Sequence, residues 1–245
     1  MASSRPLRMA AVGDLHCTQH SGPELKRLCA QAAEAADALL LCGDLTDYGL
    51  PEEAHVLAEA LATLTIPIVG VLGNHDYESG KQDEVRRMLI AAGAQILDGE
   101  ACEIHGVGIA GAKGFAGGFG RYALGPWGEE AIKQFVAEAV REVHKLESAV
   151  AKLRTRERIV LLHYAPISQT IEGEPPEISS YLGSGRLEEP LIRYPVTAVF
   201  HGHAHRGALE GRTVNGTPVY NVAKPLLLRS FPDKPPFRVL ELTPE

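Results

Sequence analysis

Only four cysteines occur in 245 residues, Cys17, Cys29, Cys42 and Cys102, and no two form a CxxC pair. That spacing excludes the disulfide framework of a small secreted domain. Cys29 falls in a helical pattern and Cys42 in a strand pattern, so both read as apolar fillers. Cys17 stands beside His16, but the oxygen and nitrogen groups around it make a thiolate ligand the lesser reading. Long apolar runs are also missing. Residues Met1 to Pro6 lead directly into a four-residue apolar strand, too short for a signal-peptide core, and no later run approaches membrane-spanning length. The expectation is a soluble cytoplasmic protein without a membrane partner. Basic residues are outnumbered, 24 Lys+Arg against 31 Asp+Glu, for a net charge of −7. This argues against a general nucleic-acid binder, yet leaves room for a small phosphorylated ligand held by local charges. No internal repeat, low-complexity tract or linker interrupts the chain, so residues 1–245 read as a single α/β domain.

What the chain does contain is a recurrent punctuation. Ile66-Pro67-Ile68-Val69-Gly70-Val71-Leu72 reads as a buried parallel strand and opens into Gly73-Asn74-His75-Asp76. Ala10-Ala11-Val12-Gly13 runs likewise into Asp14-Leu15-His16, and Leu39-Leu40-Leu41-Cys42-Gly43 into Asp44-Leu45-Thr46-Asp47. Helical spacing over Pro23–Ala36, Glu52–Leu64 and Asp83–Ala92 separates these strands, with Pro51 at a first helical position. Strand–helix alternation of this kind predicts right-handed βαβ units around a largely parallel sheet. Ala94–Leu97 and Ala101–Ala110 then read as a meander.

Further on, Gly111–Gly128 holds seven glycines with Phe115, Phe119, Arg121, Tyr122 and Trp127. A surface loop and a substrate-facing loop both remain open for it. Glu129–Glu157 is the longest helical signal, and its short heptad fits a face packed on a sheet, with a homodimer seam as the other option. Ile159–Leu162 ends at His163, and Val196–Phe200 ends at His201-Gly202-His203-Ala204-His205. Between them, Tyr164–Arg186 reads as a lid or rim, whose Glu172, Glu174 and Glu177 would repel highly anionic substrates if they faced the site. Asn215-Gly216 predicts a hairpin with a type I′ turn, and Phe237–Thr243 an edge strand.

Five strand ends therefore deliver Asp14, His16, Asp44, Asn74, His75, His163, His203 and His205. Carboxylate and imidazole together suit Mn, Fe, Zn or related divalent ions. The number of donors is sufficient for two ions sharing a bridging Asp, the arrangement that clamps phosphorus for in-line attack. Singly, Asp14 and Asp44 could be helix N-caps and Asn74 a turn residue. Their coincidence at strand ends is what points to a site.

The ordered set Asp-x-His, Gly-Asp, Gly-Asn-His-Asp, His, Gly-His-x-His resembles the calcineurin-like metallophosphoesterase superfamily, over Asp14 to His205. The resemblance implies a four-layer αββα sandwich of two mixed sheets flanked by helices, with the metal site at the carboxyl ends of the strands. It implies that Asp14, His16 and His205 hold one ion, that Asn74, His163 and His203 hold the other, and that Asp44 bridges both together with a hydroxide nucleophile. His75 would be the general acid, and Asp47 would stand behind it as its orienting residue. The implied activity is hydrolysis of a small-molecule phosphodiester or phosphomonoester, with two divalent transition-metal ions (Mn, Fe or Zn) as cofactors. Two features depart from subgroups of the superfamily. Tyr48 stands where protein Ser/Thr phosphatases carry a phosphate-gripping Arg. His163-Tyr164-Ala165-Pro166 stands where cyclic-nucleotide phosphodiesterases have His-His-Pro. The alternative readings are a non-catalytic scaffold or protein-binding member of the same fold and, within enzymes, a cyclic-nucleotide phosphodiesterase. His201 is expected at a strand end outside the ligand pattern, and His20, His55, His105 and His144 at the surface or in packing.

Overall fold

The computed structural model describes residues 5–243. Its elements in order are β1 (Leu7–Val12), α1 (Gly22–Ala35), β2 (Ala38–Cys42), α2 (Pro51–Leu61), β3 (Ile68–Val71), α3 (Gln82–Ala91), β4 (Ala94–Ile96), β5 (Glu100–Ile104) and β6 (Val107–Gly111). There follow α4 (Glu130–Val150), β7 (Arg158–Leu161), the short α5 (Ser179–Leu182), α6 (Glu188–Arg193), β8 (Ala198–His201), β9 (Glu210–Arg212), β10 (Pro218–Asn221), α7 (Lys224–Ser230) and β11 (Arg238–Leu242). Among the described residues no helix is long and apolar enough to cross a membrane.

Two mixed sheets result. One runs β11-β1-β2-β3-β4 and the other β5-β6-β7-β8-β10-β9. β1 to β4 pair in parallel, and β11 lies antiparallel on β1. In the second sheet β6, β7, β8 and β10 are parallel, with β5 and β9 antiparallel at its ends. The alternation of side chains along each strand builds the layers. In β1, Ala10 and Val12 face α1 and α2 together with Leu25, Leu28 and Leu57. Met9 and Ala11 face the other sheet, where Ile109, Ile159, Leu161 and Phe200 meet them. The far side of the second sheet packs Ala110, Val160 and Val199 against Val143, Leu146 and Val150 of α4. Both faces of the inner strands are covered, which is why they read as unbroken apolar runs. This is the expected αββα sandwich.

Four local expectations change. β4 is not part of a meander but a parallel neighbour of β3, and the chain crosses to the second sheet only after it. The 101–110 run is itself a hairpin, broken at His105-Gly106, where φ values of 51° and 81° give the left-handed pair of a type I′ turn. At Asn215-Gly216 only Gly216 is left-handed, with φ 89°. Its N–H closes a turn on the Thr213 carbonyl at 2.9 Å, so β9 and β10 are joined by a longer loop. Finally, α4 stops at Val150, although Leu153 in the following turn is still buried and extends the apolar period.

Candidate metal centre

The carboxyl ends of β1, β2, β3, β7 and β8 lie side by side, and the polar residues that follow them converge. Three of the turns after these strands are sharp. Asp14, His16, Asp44 and His203 all take left-handed backbone angles (φ 56°, 44°, 48° and 69°), which non-glycine residues seldom adopt. The close approach of these turns requires glycine beside them. A Cβ on Gly73 would sit 2.2 Å from the Asp44 carboxylate, and one on Gly202 would sit 2.2 Å from Asp14.

Donor atoms of Asp14, His16 and His205 lie within 4.8 Å of one another, as do those of Asp44, His163 and His203. A third such group joins His16, Asp44 and His75. Asn74 completes the second group, with its Oδ1 2.8 Å from His163 Nε2. The structure thus brings together all seven expected ligands and places His75 beside them.

Hydrogen bonds fix the histidine tautomers. His163 donates from Nδ1 to the Cys42 carbonyl at 3.0 Å, and His203 donates from Nε2 to the Tyr181 carbonyl at 3.2 Å. His16 turns Nδ1 to Asp47 Oδ1 at 3.2 Å. Burial lowers the proton affinity of His16 and His163, and takes His203 down to about 3. Neutral rings with one nitrogen so committed present a bare lone pair at the other. His163 Nε2 then faces Asn74 Oδ1 at 2.8 Å and Asp44 Oδ1 at 3.3 Å, acceptor against acceptor. His16 Nε2 is buried and has no hydrogen-bond partner. Burial, and then the charge of Asp14, push the Asp44 carboxyl up to about 7. For Asp14 burial acts upward, but the His205 hydrogen bond and nearby imidazoles hold it low. His205 donates from Nε2 to Asp14 Oδ1 at 3.0 Å, but around His163 Nε2 and His16 Nε2 lone pairs and oxygens converge without a donor, the arrangement a cation satisfies, so these residues fit divalent metal.

Asp47 does more than the sequence implied. Its main-chain carbonyl accepts the His75 Nδ1 proton at 2.6 Å, while its carboxylate turns to His16. His75 Nε2 is left pointing inward, 3.9 Å from Asp44 Oδ2. Asp76 is a residue that sequence reasoning missed. Fully buried, it accepts from Thr46 N (2.8 Å), Thr46 Oγ1 (2.6 Å), Gly73 N (2.8 Å) and Leu45 N (3.2 Å), and so ties the β2 loop to the β3 loop. Its closing place in Gly-Asn-His-Asp was the available signal. His201 bonds to Thr170 Oγ1 at 2.8 Å, away from the metal groups. His20, His55, His105 and His144 are exposed.

A cavity of about 400 Å³ opens on the cluster, lined on the polar side by Asp44, His75, His203 and His205. Its other wall comes from the 164–186 segment, which is built of short helical turns. Glu174 faces this cavity, whereas Glu172 and Glu177 are not among its lining residues. The 111–128 loop does not line it either. The first half of that loop is buried, and Gly117 and Gly118 donate main-chain hydrogen bonds to Ser180 and Gly183 of the wall. A larger groove of about 650 Å³ between α1 and β11 carries no comparable donor set.

A family model described as calcineurin-like phosphoesterase matches residues 7–207. No curated protein matches significantly. Among solved structures, the phosphopantetheinyl hydrolase PptH from Mycobacterium tuberculosis superposes with a TM-score of 0.68 at 16% identity, covering 98% of this chain and 97% of that one. TT1561 of Thermus thermophilus gives a TM-score of 0.53 at 15% identity, over 96% and 99% of the two chains. GAP50, described as the anchor in the inner membrane complex of Plasmodium, gives 0.53 at 14% identity, over 91% and 73%.

Proposed function

This chain belongs to the calcineurin-like phosphoesterase family, and from that premise we propose that it hydrolyses a small phosphodiester or phosphomonoester with the help of two divalent transition-metal ions. The observation that carries the reading is the set of buried acceptors facing one another around His163 Nε2 and the unpartnered His16 Nε2. Asp14, His16 and His205 would hold one ion, Asn74, His163 and His203 the other, and Asp44 would serve both. When bound, the ions would activate water and offset charge on the phosphoryl oxygens.

The chain's own residues set the geometry for that chemistry. Asp44 accepts the His75 main-chain N–H at 2.8 Å, which fixes the distance between the ligand cluster and the proton donor. His75, held at Nδ1 by the Asp47 carbonyl, would deliver a proton from Nε2 to the departing oxygen as general acid. Asp47 acts as a positioning residue for two rings, His75 through its main chain and His16 through its carboxylate. The unpaired cysteines, Cys17, Cys29, Cys42 and Cys102, support a reducing cytoplasmic setting.

Fold likeness alone does not separate enzyme from scaffold, since both a named hydrolase and a named anchor share this architecture. The complete donor set and the presence of His75 favour the enzyme. Elemental analysis and assay on bis-p-nitrophenyl phosphate with Mn²⁺ test it. About two ions per chain and steady p-nitrophenolate release are expected; no metal and no release would refute the reading.

A further inference from the structure

The wall of the cavity opposite the metal ligands has a chemistry of its own. Ile178, Tyr181 and Leu182 face the cavity, and Tyr181 is 63% exposed. An exposed aromatic ring beside an exposed isoleucine is a surface that a ligand could cover to advantage.

The wall is seated on the site. Ala165, two residues beyond His163, receives the Ser184 N–H at its carbonyl and donates its own N–H to Leu182 at 3.1 Å. A Cβ at Gly183 would lie 2.0 Å from the Ala165 carbonyl, so only glycine allows this contact. Gly117 donates to the Ser180 carbonyl at 2.8 Å and buttresses the wall from behind. The Tyr181 carbonyl itself takes the His203 Nε2 proton. Tyr181 thus meets the His203 imidazole through its main chain, lines the cavity, and keeps its side chain largely exposed. A surface fixed on both sides needs little ordering when a ligand arrives.

Charge narrows the ligand further. Arg206 is the permanent cation among the lining residues, and Glu174 lies against it, accepting the Arg206 main-chain N–H at 2.5 Å. With one cationic and one anionic side chain, Arg206 and Glu174, this side of the cavity offers no net positive charge for a second phosphate. We infer that the protein selects phosphodiesters whose second ester group is uncharged and apolar or aromatic, with Tyr181 and Ile178 as the specificity-determining side chains. This deepens the hydrolase reading and rests on it.

The experiment keeps the leaving group constant and varies only the other ester, comparing methyl p-nitrophenyl phosphate with phenyl p-nitrophenyl phosphate in Mn²⁺. The wild type should prefer the phenyl ester in kcat/KM by about tenfold, the effect expected for half-burying a ring. Tyr181→Ala should bring that ratio below about threefold, Ile178→Ser should lower it in part, and Tyr181→Phe should retain it. Because Tyr181 and Ile178 are exposed, the variants should fold, and unchanged metal content verifies that His203 is undisturbed. Equal kcat/KM for the two esters in the wild type, or an unchanged ratio in Tyr181→Ala, overturns the inference while leaving the hydrolase reading intact. No release from either ester overturns both.

Discussion

Replacing Asp76 offers a quantitative test of how the site is held. The carboxylate is fully buried and receives three main-chain N–H groups and the Thr46 hydroxyl, from two loops that carry Asp44 and Asn74. Asp76→Ala strands Leu45 N, Thr46 N and Gly73 N, each at a cost of about 1–3 kcal/mol if water does not reach them. Relief of the carboxylate's own burial cost opposes this, so a net loss of about 4 kcal/mol is expected. Asp76→Asn keeps one oxygen, and Thr46 Oγ1 can turn to accept from the new amide, which leaves one donor facing another and a loss of about 2 kcal/mol. For a chain of this size 1 kcal/mol corresponds to about 2–4 °C in Tm, so shifts of about 4–8 °C for Asn and 8–16 °C for Ala follow. Calorimetry of chelator-treated protein measures both. A shift below about 4 °C for Asp76→Ala, or an Asn variant worse than the Ala variant, would show that the carboxylate does not pin the loops.

His75→Ala should keep both metals and lose about 10²–10⁴-fold in kcat, most for esters with basic leaving groups; loss of metal in parallel with activity would make it a ligand instead. Gly202→Ala removes no donor, yet its Cβ would meet the Asp14 carboxylate, so elemental analysis should find metal lost from a folded protein. Asp44 predicts a pH effect of definite sign. The folded carboxyl holds its proton to about 7 from an ordinary value of 3.8, so without metal its contribution to stability is lost as pH rises through that window. Relative to Asp44→Asn, which does not titrate there, the chelated wild type should show a falling Tm between about pH 4 and 7, and Mn²⁺ affinity should rise over the same range; a flat difference between the two would refute it. Asp44→Asn should also lose both ions, as a shared ligand must.

The candidate ligand residues were legible because they gather just beyond apolar runs at five strand ends, a coincidence that capping or turn formation at any single one of them does not explain. Sheet membership was not legible in the same way. β4 and β5 are adjacent, short and similar in composition, and what separates them is partner strands far along the chain. The type I′ turn was expected at Asn215-Gly216, where local preference is strongest. It occurs at His105-Gly106, because β5 and β6 pair up to Ile104 and Val107 and leave only two residues to turn. The 111–128 loop was open between a surface and a substrate-facing reading, and two of its glycines, Gly117 and Gly118, instead serve close approach to the 180–184 wall. Asp47 meets His75 through its main-chain carbonyl rather than the carboxylate expected of it, and a main-chain contact leaves no trace in residue type.

The left-handed turns at Asp14, His16, Asp44 and His203 have an evolutionary consequence. Glycine would take these angles at no steric cost, whereas an L side chain gives up about 1–2 kcal/mol at each. His16 is the sharpest case, because its buried Nε2 has no partner in the polypeptide to offset that penalty. Asp14, Asp44 and His203 also make hydrogen bonds within the polypeptide, so mutation under selection for folding alone should drift toward glycine first at His16, and a library screened for heat resistance in chelator should enrich that replacement. On the two-metal proposal, selection for binding is what would oppose that drift at His16, so a lineage that abandoned the chemistry would lose this side chain before it lost its sandwich.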